Sequence, residues 1–183
     1  MGILLAFAPF IAFAVLDRIV GPTEALAAGA AVSLALIVRD LAGSGRGVKV
    51  LEAGTFVLFA GLALYTWLSG TIWSVIGVRL CVDAGLLLVV LATMAAGRPF
   101  TLQYARDQVA PEFWNRPGFM RTNYVITGAW ALAFGVMVVA ELALLYVPGV
   151  PPRAGVVAII LALVGAVKFT GWYPERERQR IAG

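Results

Sequence analysis

The chain has no histidine and a single cysteine in 183 residues. Without histidine it lacks the side chain that most often serves as a general base near neutral pH and most often binds metal. Cys81 alone can build neither a disulfide framework nor a thiolate metal site, and within its apolar run it reads as a small buried hydrophobe. Charge is scarce as well: 13% of residues are Asp, Glu, Lys or Arg, against about 25% in an ordinary soluble domain. These shortages exclude histidine-dependent nucleophilic triads and zinc centres built on His or Cys. No cofactor motif takes their place.

What fills the chain instead is apolar. The hydrophobic set makes up 61% of residues and the mean hydropathy is +0.92. No soluble fold of this length could hide that much apolar surface, so much of it must face lipid. Six runs lie near the ~20 residues a helical crossing needs, over residues 2–20, 23–41, 50–69, 72–96, 122–146 and 153–172. The expected fold is all-α: one transmembrane domain, a bundle of six transmembrane helices, with a short cytoplasmic interfacial helix between spans 4 and 5. The first run has no basic stretch ahead of it and five more follow, so it reads as a retained span rather than a cleaved signal.

The breaks between runs are chemically consistent. Gly21-Pro22 separates the first two, with Thr23 available as an N-cap and Glu24 favourable in the first turn. Gly43-Ser44-Gly45-Arg46-Gly47 reads as a flexible turn; a phosphate loop would need a preceding strand and a following Lys-Ser or Lys-Thr, and has neither. Ser69-Gly70-Thr71 reads as a tight outer hairpin, and Pro148, Pro151 and Pro152 end the fifth span and restart the sixth. The alanines and Gly29 crowding residues 25–31 read as a packing surface for close helix approach.

Orientation follows from the basic residues. Of the fourteen, eleven fall on one side of six alternating helices: Arg39, Arg46, Lys49, Arg98, Arg106, Arg116, Arg121, Lys168, Arg176, Arg178 and Arg180. Only Arg18, Arg79 and Arg153 fall towards the other. The positive-inside rule then puts both termini in the cytoplasm of a multi-pass inner-membrane protein. The aromatic residues agree: Tyr65, Trp67, Trp73 and Tyr146 reach the outer interface, and Tyr104, Trp114, Tyr124, Trp172 and Tyr173 the inner one. Basic residues confined to gaps between spans are a topology signal and not a nucleic-acid surface.

Two groups of residues are candidates for chemistry. Intramembrane ionisable groups are expensive and by default suggest function. Arg79 and Asp83 share a face of the fourth span, four residues apart. At ~1.5 Å per residue from Ile72 they lie roughly 10 and 16 Å deep. Glu141 comes to a depth similar to that of Arg79, and Asp17 and Arg18 sit near the outer end of the first span. Arg79, Asp83, Glu141 and Asp17 therefore read either as an outward-facing polar pocket or as an ion-paired clamp that sets helix register. Lys168 reads as a snorkelling side chain.

The second group lies in the cytoplasmic segment 97–121, with four arginines, three prolines and five aromatic residues. Residues 101–109 read as a short helix, stopped by Pro111, that lies on anionic headgroups; Asn115-Arg116-Pro117-Gly118 reads as the following turn. The alternative is a docking or ligand surface built from Arg98, Gln103, Tyr104, Glu112 and Trp114. Beyond residue 172 a charged cytoplasmic tail is expected.

Three stretches resemble one family. Leu4-Leu5-x-Phe7-x-Pro9 is followed by aromatic-rich apolar sequence and Arg18-Ile19; Arg98-Pro99 opens the fourth gap; Trp130-Ala131-x-x-Phe134 lies in the fifth span. Together with the length and span spacing, these are similar to the bacterial intracellular septation protein A, or YciB-like, inner-membrane proteins. The resemblance implies a non-enzymatic role in cell-envelope biogenesis, septation and membrane integrity. The partners it implies are the lipid bilayer and cell-division or envelope-synthesis membrane proteins; self-association is left open. It supplies no catalytic residues. Beside it stand a small transporter or channel using the intramembrane charges, and a membrane enzyme acting on a lipid or isoprenoid.

Overall fold

A computed structural model describes residues 5–43 and 47–182, with side chains through Glu177. Leu4 of the family-like N-terminus and Ser44, Gly45 and Arg46 of the glycine-rich turn lie outside the described residues. The chain is helical throughout, with no strand among the described residues. In order, the helices are α1 (Ala8–Leu16), α2 (Pro22–Ala42), α3 (Val50–Ser69), α4 (Val75–Ala95), α5 (Thr101–Arg106), a 3-10 turn at Pro111–Phe113, α6 (Pro117–Tyr146) and α7 (Pro152–Ala182). They gather into two compact units, Met1–Val89 and Val90–Gly183.

Five helices, α2, α3, α4, α6 and α7, are long and apolar enough to cross a membrane. Among the described residues the expected first span contains the nine-residue α1, followed by turns at residues 17–20. That is ~14 Å of helix, about half the hydrocarbon thickness. Two other boundaries also differ from the sequence expectation. The fifth expected span begins five residues earlier, because Pro117 takes the first helical position, where its fixed φ fits and its missing N–H is not needed. The expected tail after residue 172 continues α7 through Pro174 to Ala182.

Each crossing helix of the first unit buries one stripe. On α2 it is Ala25, Leu26, Gly29, Ser33, Leu36 and Asp40; on α3 it is Leu51, Glu52, Thr55, Phe59 and Thr66. The three-to-four spacing places each set on one face, leaving the other faces apolar and outward, as lipid allows. Phe59, fully buried, is the centre of this packing: its ring lies 5.2 Å from Phe10 and 5.5 Å from Phe13, centroid to centroid, so it holds α1 onto the α2–α3 pair. Gly29 makes the contact possible, since a Cβ there would sit 2.8 Å from the Phe59 ring. In lipid, burial of such a ring gains little from leaving its solvent, and close packing supplies the attraction.

Chain direction is set by local chemistry. Gly21, at φ 110, is the N-cap of α2 and Pro22 its first residue, so Thr23 is not the cap; Glu24 does lie in the first turn. Gly97, at φ 73, lets the chain leave α4, with Arg98 N donating to Thr93 O at 2.9 Å in a left-handed helix stop.

In the second unit α6 and α7 form an antiparallel pair, cross-linked where Trp130 Nε1 donates to Thr170 Oγ1 at 2.9 Å. Gly155 brings α7 close to α6, for a Cβ there would fall 2.5 Å from Leu144. The inward stripe of α6 runs Asn123, Ile126, Thr127, Trp130, Ala133, Phe134, Met137 and Glu141. α7 is different: only 11% of its apolar window is buried, against 28–33% for the other crossing helices, so nearly all of it faces outward.

Candidate intramembrane charge sites

Near the start of α4, Arg79 Nη2 donates to Asp17 Oδ2 at 2.7 Å, across 62 positions of sequence. The Asp17 side chain is fully enclosed and that of Arg79 is 23% exposed. The turns after α1 put Asp17 against α4, and the helical register of α4 presents Arg79 on the same side as buried Val78, Val82 and Asp83. The pair is single-pronged. Asp17 Oδ1 and Arg79 Nε are both buried and neither makes a hydrogen bond. A two-pronged fork would satisfy both atoms, so this geometry forgoes part of what an arginine–carboxylate pair can supply.

Asp83 is buried one helical turn further along α4. Of the four residues expected to form an intramembrane site, Asp17 and Arg79 are directly bonded and Asp83 shares the α4 face of Arg79. Glu141 belongs to the second unit, where it is 1% exposed on the inward stripe of α6. Cys81, expected to be buried, is half-exposed to its surroundings.

A second charge cluster was not among the expected sites. Asp40, at the end of α2, accepts from Lys49 Nζ at 2.5 Å and from Arg39 Nη2 at 2.7 Å and Nε at 3.0 Å. Arg39 Nη2 also lies 3.9 Å from Glu52 Oε1. Asp40, Lys49 and Glu52 are all nearly fully buried. Two acids and two bases balance here, and together they tie the end of α2 to the start of α3. Sequence reading used Arg39 and Lys49 only as topology charges. The available signal was that Asp40 and Glu52 fall inside apolar runs, one on each side of the same short gap.

The segment after α4 is more enclosed than expected. Helix α5 stops at Arg106, and Phe100, Thr101, Leu102 and Tyr104 are buried. Thr101 Oγ1 donates to Asn123 O at 3.0 Å and lies 2.8 Å from Thr127 Oγ1, while Tyr124 Oη donates to Met94 O at 3.2 Å. This polar seam pins α5 along α6. Pro111 begins a 3-10 turn instead of ending a helix. Of the five residues expected to form a docking surface, Arg98 and Glu112 are exposed, and Gln103 and Trp114 are partly buried. Tyr104 is 2% exposed and meets Phe100 edge-on, so it presents no surface for docking. Lys168 is exposed, as a snorkelling side chain requires.

No group of three or more metal-ligating side chains occurs among the described residues. The chain matches no family model, no curated protein and no solved structure.

Proposed function

We propose that this is a multi-pass protein of the bacterial inner membrane that serves envelope biogenesis and septation through protein and lipid contacts, without catalysing a reaction. The resemblance to the septation protein A family supplies the envelope role. The observation that supports action by contact is the Asp17–Arg79 pair, closed at 2.7 Å and joining the end of α1 to α4. In this reading six segments cross the bilayer, both termini are cytoplasmic, and residues 97–116 lie on the cytoplasmic side. The test is complementation: a strain lacking the gene has division and envelope defects, which the wild type and the Asp83→Asn and Glu141→Gln variants all restore. Restoration by the wild type with failure of both well-folded variants removes the contact reading.

A second reading, a small transporter or channel, is favoured by one specific observation. Asp17 and Asp83 are both buried within the first unit, and buried acids of a membrane-spanning bundle are the groups that most often line a proton or cation path. Flux measured in proteoliposomes with the Asp83→Asn variant decides it. Flux that disappears while the protein stays folded supports transport, and an absence of flux in the wild type ends it.

A further inference from the structure

The aromatic residues that follow α5 are tied to arginines. The Arg106 guanidinium lies 5.1 Å from the centre of the Trp114 ring, and that of Arg116 lies 4.4 Å from the centre of Phe113. Trp114 is itself held, its Nε1 donating to Val109 O at 2.9 Å. On the neighbouring helix Arg176 lies 4.9 Å from the centre of Trp172. All three stacks are in the second unit. Because α6 and α7 are antiparallel, the start of α6 and the end of α7 share one end of the pair. The other end, around Tyr146 and Pro152, carries only Arg153.

Helix length fixes the level of this end. α6 has 30 residues, ~45 Å at 1.5 Å per residue, which matches a bilayer with both headgroup layers at ~40–45 Å and exceeds its ~30 Å hydrocarbon core. With its apolar middle in the core, the first turns of α6 reach the headgroup layer. Tyr124, Trp172 and Tyr173 then fall near the boundary, where such rings prefer to sit. The residues leading into Pro117 lie among the phosphates.

Stacking on an aromatic face leaves the guanidinium charge in place, fixes its plane and keeps in-plane N–H groups available to a planar or tetrahedral oxyanion. Two such groups, one five residues before the Pro111–Phe113 turn and one three residues after it, make a preorganised pair of forks. Asp107 and Glu112, both exposed, lie in the same stretch, against Arg98, Arg106, Arg116 and Arg121. The balance across residues 97–121 is therefore basic.

We propose that Arg106 on Trp114 and Arg116 on Phe113 form a binding site for the headgroup phosphate of an anionic phospholipid, with Arg176 on Trp172 extending it along α7. The site depends on the placement of α6 in a bilayer and not on the envelope role, so the two stand or fall separately.

The test uses the full chain in nanodiscs of phosphatidylcholine containing a minor fraction of phosphatidylglycerol, with lipid retained after detergent extraction counted by native mass spectrometry. The wild type retains phosphatidylglycerol in preference to phosphatidylcholine. The Arg106→Gln/Arg116→Gln variant binds it roughly thirtyfold more weakly, at about the value of one surface cation per arginine. Thermal melting in pure phosphatidylcholine checks that the variant is folded. Arg106→Lys/Arg116→Lys, which keeps the charge and loses the fork, recovers only part of the retention. Equal retention by the wild type and the glutamine variant overturns the proposal. So does full recovery with lysine, which would make the site a diffuse charge. Displacement of the lipid by millimolar inorganic phosphate would assign the site to free anions and overturn its lipid assignment.

Discussion

Lys49 Nζ meets Asp40 Oδ2 at 2.5 Å, bridging the end of α2 and the start of α3 with both side chains nearly enclosed. Removing one partner strands the other. Lys49→Met leaves a buried carboxylate supported only by Arg39, and the expected loss is near the lower end of the ~3–5 kcal/mol typical of a broken buried pair. The Asp40→Asn/Lys49→Met double variant recovers most of that loss, because no uncompensated charge remains. Thermal or denaturant unfolding in detergent micelles reads both. Equal stability of Lys49→Met and the wild type would show that Arg39 alone suffices.

The Asp17–Arg79 pair carries a second prediction, since it joins the end of α1 to α4. Arg79→Met leaves the enclosed Asp17 carboxylate without its cation and destabilises by ~3–5 kcal/mol. Asp17→Asn costs less, because Arg79 is partly exposed and keeps access to polar surroundings. A double-mutant cycle gives a coupling energy of ~2 kcal/mol, within the range for contacting residues. Additive single effects would mean that the pair contributes nothing as a pair.

The crossing helices were legible because length and hydropathy need no tertiary information: residues 50–69 are the expected third span and also the observed α3. The first expected span is the one that length and hydropathy do not settle. Its apolar run continues on both sides of α1, but turns at residues 6–7 and 17–20 flank the helix, and Asp17 is drawn onto Arg79. Pattern reading placed Arg79 and Asp83 on one face from their spacing alone. It could not choose the partner of Arg79, which comes from another helix. The same limit hid the Asp40–Lys49 cluster, whose members look like topology charges until α2 and α3 are side by side. Tyr104 was misplaced for a related reason: a tyrosine in a polar segment suggests an interface, and only the Thr101–Thr127 seam shows α5 turned inward.

That seam makes an ordered prediction. Thr101 Oγ1 spends its proton on Asn123 O, so Thr127 must be the donor in the hydroxyl pair. Thr127→Val removes one bond and costs ~1 kcal/mol. Thr101→Val removes two and costs about twice that. Hydrogen–deuterium exchange over residues 97–106 should rise in the same order. Reversal of that order would mean the seam is not organised by Thr101.

Packing at Gly29 gives the next. Gly29→Val places new carbon atoms inside the space of the Phe59 ring, which is already fixed by Phe10 and Phe13. Overpacking of this kind costs ~1–3 kcal/mol. Gly61, which has open space around its Cβ position, is the control: Gly61→Val should leave the melting temperature nearly unchanged. Similar losses at both positions would mean that the ring contact is not what Gly29→Val disturbs, since valine is a better helix former than glycine.

The last prediction concerns the side of the membrane on which the chain begins. In the proposed topology the Gly43–Lys49 connection and the C-terminal end of α7 lie in the cytoplasm whether or not residues before Asp17 cross the bilayer. The N-terminus is the one end that depends on it. With six crossings, a fluorescent protein fused at the N-terminus matures and glows, and alkaline phosphatase fused there stays inactive. Phosphatase inserted at Gly70, which the proposed topology puts on the outer side in either case, is expected to be active. With five crossings the two N-terminal results exchange while the Gly70 result stands. α1 has nine helical residues, ~14 Å of helix. An active phosphatase at the N-terminus would therefore reassign α1 as a short helix that enters from the outer face, reaches Phe59 and ends at the Asp17–Arg79 pair.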